Sequence, residues 1–193
     1  MFEPVRPYLA CAYQVKFATS PWERRGAAEL RRRVFCEEQG LFGGDDRDAI
    51  DAVSIPIVAL ASLSIVDDEV AGTVRIHEPE PGLWWGSRLA VAPAYRRVGA
   101  LGAALIRLAV SSAHARGCHT FLAHVQAQNA PLFHRVHWET LEVVDLHGRP
   151  HHRMRADLAH YPPIDDAETG FLSLQSVPGR RQPARARGAA VAA

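Results

Sequence analysis

Residues 89–102 read Leu89-Ala90-Val91-Ala92-Pro93-Ala94-Tyr95-Arg96-Arg97-Val98-Gly99-Ala100-Leu101-Gly102 and enter the apolar stretch Ala103 to Val110. The order is a strand, a basic glycine-containing turn, then a helix. Such a junction leaves the first backbone N–H groups of the helix without intrahelical partners, with the positive end of the helix dipole behind them. It suits a phosphate: Gly99 and Gly102 let the backbone approach closely, and Arg96 and Arg97 add charge-assisted hydrogen bonds. The spacing excludes two common phosphate loops. A Walker loop needs Gly-x-x-x-x-Gly-Lys-Ser/Thr, and a dinucleotide loop needs Gly-x-Gly-x-x-Gly after the first strand of a βαβ unit.

Toward the N-terminus, Leu83 to Val91 reads as the third strand of a meander. Its first two members are Ile55 to Ile65 and Val70 to Ile76, joined by Val66-Asp67-Asp68-Glu69. Ser54 to Val66 is too short, and too interrupted by Pro56 and serines, to span a membrane, so it reads as a buried strand. Gln14 to Ala18 alternates as a short strand. Ser20-Pro21-Trp22-Glu23 starts a helix, with serine as N-cap, proline at the first position and glutamate closing a capping box. That helix is expected to pass Leu30, Val34 and Phe35 toward Glu38 and stop at Gly40, with Arg24, Arg25, Arg31, Arg32 and Arg33 largely on its outer face. Gly43-Gly44-Asp45-Asp46-Arg47-Asp48 reads as a solvated turn, since it lacks the ligand pattern of a calcium loop.

Toward the C-terminus, Leu101, Leu105, Leu108, Ala109 and Ser112 form one helical stripe that ends at Gly117. Thr120 to Val125 is a further strand, followed by a short helix around Pro131 to Val136. Leu141 to Val144 then pairs with Arg153 to Leu158 across Leu146-His147-Gly148-Arg149-Pro150. From Pro178 onward, prolines, glycines, alanines and four arginines give a tail expected to be disordered.

With 193 residues, 48% of them apolar, the chain can bury one sizeable core. The expected organisation is an N-terminal extension over 1–13, one domain over 14–163 and a C-terminal tail over 164–193. Lys and Arg number 22 against 21 Asp and Glu, so no global field favours nucleic acid or an anionic membrane. Three cysteines without a Cys-x-x-Cys pair, and no leader pattern, point to a reducing cytoplasm. No metal is expected: His147, His151 and His152 share a hairpin, yet the adjacent pair points to opposite faces.

The opening stretch resembles the coenzyme A pyrophosphate loop of the GNAT N-acetyltransferases, in which Arg/Gln-x-x-Gly-x-Gly/Ala follows a strand ending in Leu-Ala-Val-x-Pro. Here the loop reads as one residue longer. Three other segments carry the resemblance. Arg33-Val34-Phe35-Cys36-Glu37-Glu38-Gln39-Gly40 looks like the Arg-x-Val-Phe-x-x-Glu-Gln segment of one bacterial branch. Asn129-Ala130-Pro131-Leu132-Phe133-His134-Arg135-Val136-His137-Trp138 is similar to the late helix Asn-x-Pro-x-Tyr-x-x-x-Gly-Phe/Trp. Gly148-Arg149-Pro150-His151-His152-Arg153-Met154 is similar to a Gly-x-Pro-His-x-x-Met hairpin of that same branch. The whole also resembles a subgroup associated with bacterial nitrogen-starvation gene clusters.

Over about residues 14–160 the resemblance implies an α/β (α+β) GNAT fold, with a mixed central sheet of about six to seven strands flanked by helices. It implies acetyl-CoA as cofactor, held by Arg96, Arg97, Val98, Gly99, Ala100, Leu101, Gly102, Asn129 and Phe133, with backbone N–H groups near Leu89, Ala90 and Val91 polarising the thioester carbonyl. The acceptor implied is a small-molecule amine, attacked directly, with no nucleic acid or membrane partner and a homodimer as an allowed assembly. Cys36 and Cys118 are not placed for a ping-pong route. The family tyrosine that protonates the departing thiolate is Phe133 here, and the glycine closing that helix is His137, so His134 and His137 are the candidate acids. His77 and Glu78 are candidate bases, against the plainer reading of a strand-end histidine and a solvated glutamate. Glu37, Glu38, Trp84 and Trp85 are candidate acceptor contacts, one indole being expected in the core and the other in the cleft. Two other readings stay open: an acyl-CoA-binding or partner-docking module without catalysis, favoured by Phe133, and a protein or peptide acetyltransferase.

Overall fold

The computed structural model describes residues 12–62, 67–96 and 100–174; residues 1–11, 63–66, 97–99 and 175–193 lie outside the described residues. The expected contacts of Arg97, Val98 and Gly99, the expected disordered tail and most of the expected N-terminal extension therefore fall outside them.

β1 (Ala12–Phe17) leads into α1 (Pro21–Arg31), whose start follows from its side chains. Ser20 Oγ accepts from the Glu23 amide, and Glu23 accepts from the Ser20 and Thr19 amides. The helix then widens into a π-helical segment, Arg32–Glu38, in which Gln39 N donates to Val34 O at 3.1 Å. Val34 and Phe35 are both buried there. β2 (Ile55–Ser62), β3 (Asp67–Glu80) and β4 (Leu83–Val91) form the meander. Then come α2 (Leu101–Ala115), β5 (Thr120–Gln126), α3 (Ala130–Arg135), β6 (Trp138–Leu146), β7 (Arg149–Ala156) and β8 (Phe171–Leu174).

The strands make one sheet in the order β6-β7-β5-β4-β3-β2-β1-β8. β4 and β5 run parallel, and the other paired neighbours run antiparallel. Ile57 to Ala61 are buried without alternation because both faces are covered. Val58 and Leu60 pack with Ala27 of α1, while Ile57 and Ala59 share a cluster with Leu105 and Leu108 of α2. Among the described residues, no helix is long and apolar enough to cross a membrane.

The structure departs from expectation in three places. The sheet has eight strands, because Phe171–Leu174 pairs with Ala12 to Val15 on the β1 edge. The folded unit thus runs past both expected bounds, 14 and 163. Gly170, with φ +64°, makes the approach possible: a Cβ there would stand 1.9 Å from the Val15 carbonyl oxygen. Arg31 is buried rather than on the outer face of α1, and Asp46, in the supposedly solvated turn, is 2% exposed. Finally, the β6–β7 connection is tighter than expected, with His147 and Gly148 both at positive φ as a two-residue hairpin turn requires.

Candidate active site

β4 and β5 pair over four positions, Leu83↔Thr120 to Gly86↔Ala123, although β4 continues to Val91 and β5 to Gln126. At the parting point β4 bulges. Between Arg75↔Ser87 and Thr73↔Ala90 it carries one residue more than β3, and Arg88 adopts φ +56°. A bulge of this kind bends its strand and re-aims side chains. A cavity of about 560 Å³ occupies the gap. Phe121, Ala123 and Val125 line it from one face of β5, and His124 and Gln126 from the other, so it passes through the sheet. On the helix face it meets Ile106 and Ala109 of α2 and Phe133 of α3; on the opposite face it meets His77, Trp85 and Ser87. The gap is bridged above by Gln126 Nε2 donating to Gln39 Oε1 (2.9 Å), Arg149 Nη2 donating to Gln39 O (2.9 Å), and an edge-to-face contact of Phe42 with His147 at 5.1 Å.

Outside the cavity lining, Ala100 precedes α2 as its N-cap in a left-handed conformation (φ 50°, ψ 32°) and makes no side-chain cap hydrogen bond. Leu101 is core, and a Cβ on Gly102 would lie 3.3 Å from Leu132, so this glycine keeps α3 close. Arg96 donates from Nε to Val91 O (3.0 Å) and from both Nη atoms to the Glu38 carboxylate (2.5 and 2.6 Å). The hydrogen bonds from Arg96 hold the Glu38 carboxyl below its usual range. Two residues expected in different subsites are thus each other's partners. Asn129, Phe133 and Leu89 line the cavity, whereas Ala90 and Val91 pair with Thr73 and Gly72 of β3.

The expected catalytic residues separate. His77 lines the cavity. Burial and then Arg75 push its pKa down, against Asp48 and the Trp85 backbone, and favour the neutral ring. Glu78 points elsewhere, accepting from the Gly82 amide at 2.7 Å as a cap of the β3–β4 turn. His134 bonds to Trp138 O (3.0 Å) outside the cavity lining. His137 stacks on His160 with centroids 3.7 Å apart, bordering a second cavity with Arg155 and Asp157. Its φ of +65° is the conformation that a glycine at this position would take. Neither His134 nor His137 lines the cavity that Phe133 lines. Glu37 is exposed and pairs with Arg32. Trp84 is in the core, which removes it from the acceptor side, and Trp85 lines the cleft.

His124 escaped sequence reading because it alternates with apolar neighbours as any half-buried strand residue would. Its ring lies 5.0 Å from that of Trp85, and burial, reinforced by His151 and Arg153, lowers its pKa. A charge cluster was missed as well. Arg31 binds Asp46 (2.8 Å) and Asp51 (2.5 Å). Arg75 binds Asp48 (2.7 Å) and Asp51 (2.8 Å), and Arg88 binds Asp46 (2.9 Å) and Asp48 (3.2 Å). Hydrogen bonds from Arg75 chiefly depress the Asp48 pKa, while for Asp51 burial, which raises the pKa, is outweighed by Arg31, the Asp48 amide and Arg75 together. Three cations and three anions cancel, and together they fix the 45–51 loop that carries Ile50 to the cavity. Arg75 within Val74-Arg75-Ile76 was the available signal, since a cation inside an apolar strand requires a partner.

Burial raises the Cys118 pKa to about 11, and burial followed by Asp46 raises that of Cys36, which disfavours the thiolate of both. Cys11 lies outside the described residues. No group of three or more His, Cys, Asp or Glu residues suited to a metal occurs among the described residues. An acyl-CoA fits the arrangement that is present. The helix N-terminus of α2, without a side-chain cap hydrogen bond, and Arg96 would be the groups to hold its phosphates, and the cavity at the β4–β5 gap would take its acyl arm.

The acetyltransferase (GNAT) family model matches residues 18–138. No curated protein matches the chain. Among solved structures, a protein of Lactobacillus plantarum assigned as an N-acetyltransferase superposes with TM-score 0.66 at 23% identity, covering 75% of this chain and 97% of its own. Escherichia coli ElaA gives 0.62 at 20% identity, with 75% and 98% covered. BjaI, a CoA-dependent acyl-homoserine lactone synthase solved with SAM and isopentyl-CoA, gives 0.58 at 17% identity, with 74% and 82% covered.

Proposed function

Because the chain belongs to the GNAT acetyltransferase family, we propose that it is an acetyl-CoA-dependent N-acetyltransferase acting on a small-molecule amine by direct attack. The observation that carries this is the cavity through the sheet where β4 and β5 part. Bound acyl-CoA would supply an activated thioester carbonyl. The α2 start and Arg96 would hold its phosphates, and the exposed edge of β4 after Gly86 would meet its carbonyl. His77 and His124, on either side of Trp85, are available to accept the proton of the amine. The Phe42–His147 contact roofs the acceptor side, which supports a small molecule over a protein segment. Within the family, the Arg33–Gly40 and Gly148–Met154 motifs are the basis for a place beside the nitrogen-starvation-associated subgroup, and we include that place in the proposal.

One observation favours a second reading, an acyl-CoA-binding module without turnover. Phe133 has no proton to give, and His134 and His137 are engaged away from it. Calorimetric titration with acetyl-CoA, followed by thiol release in the presence of pooled amines, separates the two. Binding with release supports the enzyme, binding without release supports the module, and no binding overturns both. In the same titration Glu38→Gln, which frees Arg96 from its carboxylate, should tighten binding about threefold.

A further inference from the structure

We infer that the acceptor is a weakly basic amine whose nitrogen is borne on an aromatic ring, uncharged at neutral pH; this rests on the acyl-transfer reading above. The acceptor side of the cavity is walled by flat rings: Phe35 and Phe42, Trp85, His77, His124 and His147. Asp48 is the one carboxylate among its described lining residues, and both its oxygens are taken by Arg75 and Arg88. A protonated alkylamine or polyamine entering here would lose its hydration without meeting an unpaired anion, and burying an unpaired charge is costly.

Cation–π contact is the remaining way to hold an ammonium. Two of the rings already carry a cation. The Arg88 guanidinium lies over Phe42 at 4.5 Å and over Phe35 at 5.9 Å, so an ammonium entering there would meet a like charge. Burial, chiefly, lowers the pKa of His77 and of His124 and favours their neutral rings, so the wall beside Trp85 is aromatic, and the charged lining residues Arg75 and Arg88 both pair with Asp48. An arylamine meets each condition. Its ring stacks in the slot beside Trp85, and its nitrogen lone pair is free without a prior deprotonation. The nitrogen forms the new C–N bond as the C–S bond of the thioester breaks, and the proton it loses ends on the departing thiol. A strong general base is not required, which matches a site whose candidate bases are neutral histidines.

The test compares 4-methylaniline, benzylamine and cyclohexylmethylamine as acceptors for the full chain with acetyl-CoA, reading thiol release from pH 6 to 9. We expect kcat/KM for 4-methylaniline to exceed the other two by at least roughly tenfold at pH 7. Equal or better use of either alkylamine, or of spermidine, overturns the acceptor assignment while leaving acyl transfer intact. A second readout does not depend on turnover: calorimetric binding of 4-methylaniline to the protein without acyl-CoA. Trp85→Ala should weaken that binding roughly fivefold and Trp85→Phe should restore most of it. Absence of saturable binding, or indifference to Trp85→Ala, overturns the assignment even if every amine fails in the rate assay. Failure of acetyl-CoA itself to bind points instead to failure of the underlying reading.

Discussion

The two long helices begin in opposite ways. α1 is closed by its own sequence: Ser20, Pro21 and Glu23 occupy its first turn, and Lys16 adds an ion pair to Glu23 at 2.8 Å. α2 has a left-handed alanine at its N-cap and, among the described residues, no side-chain cap hydrogen bond, while the nearby Arg96 is held by Glu38. Satisfied helix ends stabilise the fold, whereas an unsatisfied end keeps its dipole and donors for something outside the chain. The difference marks the first start as structural and leaves the second as the one proposed to bind coenzyme A.

Glu23→Ala should break the closed end with the largest effect. It removes the Glu23 half of the capping box and the carboxylate partner of the buried Lys16, so stability measured by chemical denaturation should fall by about 3 kcal/mol while the affinity for coenzyme A stays unchanged. A loss of affinity as well would erase the distinction between the two ends. The same carboxyl sets a pH dependence. Burial pushes its pKa up, but Lys16 and the Ser20 and Thr19 amides outweigh burial and hold it below the usual range. Its contribution is therefore complete above the unfolded-state value and disappears as pH falls through the lowered folded value.

Closing the open end is the reverse experiment. Ala100→Asp places a carboxylate against the α2 amides, and coenzyme A should bind roughly tenfold more weakly, with stability held or raised. Unchanged affinity would show that the phosphates lie elsewhere. The smallest effect tests the backbone alone. Ala100→Gly relieves a left-handed alanine and should stabilise the protein by about 0.5–1 kcal/mol in thermal unfolding without weakening binding.

Legibility in the sequence follows the range of the interactions involved. The capping box, the β4 strand with the helix after it, and the division of Trp84 from Trp85 all depend on residues a few positions apart, and each stands in the structure as read. The Arg31–Asp46, Arg75–Asp48 and Arg88–Asp46 pairs join residues 15, 27 and 42 positions apart, so the aspartates looked like a solvated loop and Arg31 like an outer-face arginine. β8 is only four residues long, too short for a period to emerge, and it exists because the edge of β1 accepts it. Glu78 and His77 looked equivalent as neighbours. Strand alternation sends one to the cleft and the other to a turn, and the β3 bulge between His77 and Glu80 extended the strand past the expected end.

The four-pair β4–β5 seam has a mechanical consequence. The eight strands form two antiparallel blocks, β6-β7-β5 and β4-β3-β2-β1-β8, joined in the ladder at Leu83 to Gly86 and tied again through Gln39 and Phe42. A molecule threaded through the gap occupies the place of the missing rungs and touches both blocks at once. Binding then adds to the shared core that already joins the blocks. The stabilisation grows as RT ln(1 + [L]/Kd), so the saturated chain should melt at a temperature set by its ligand.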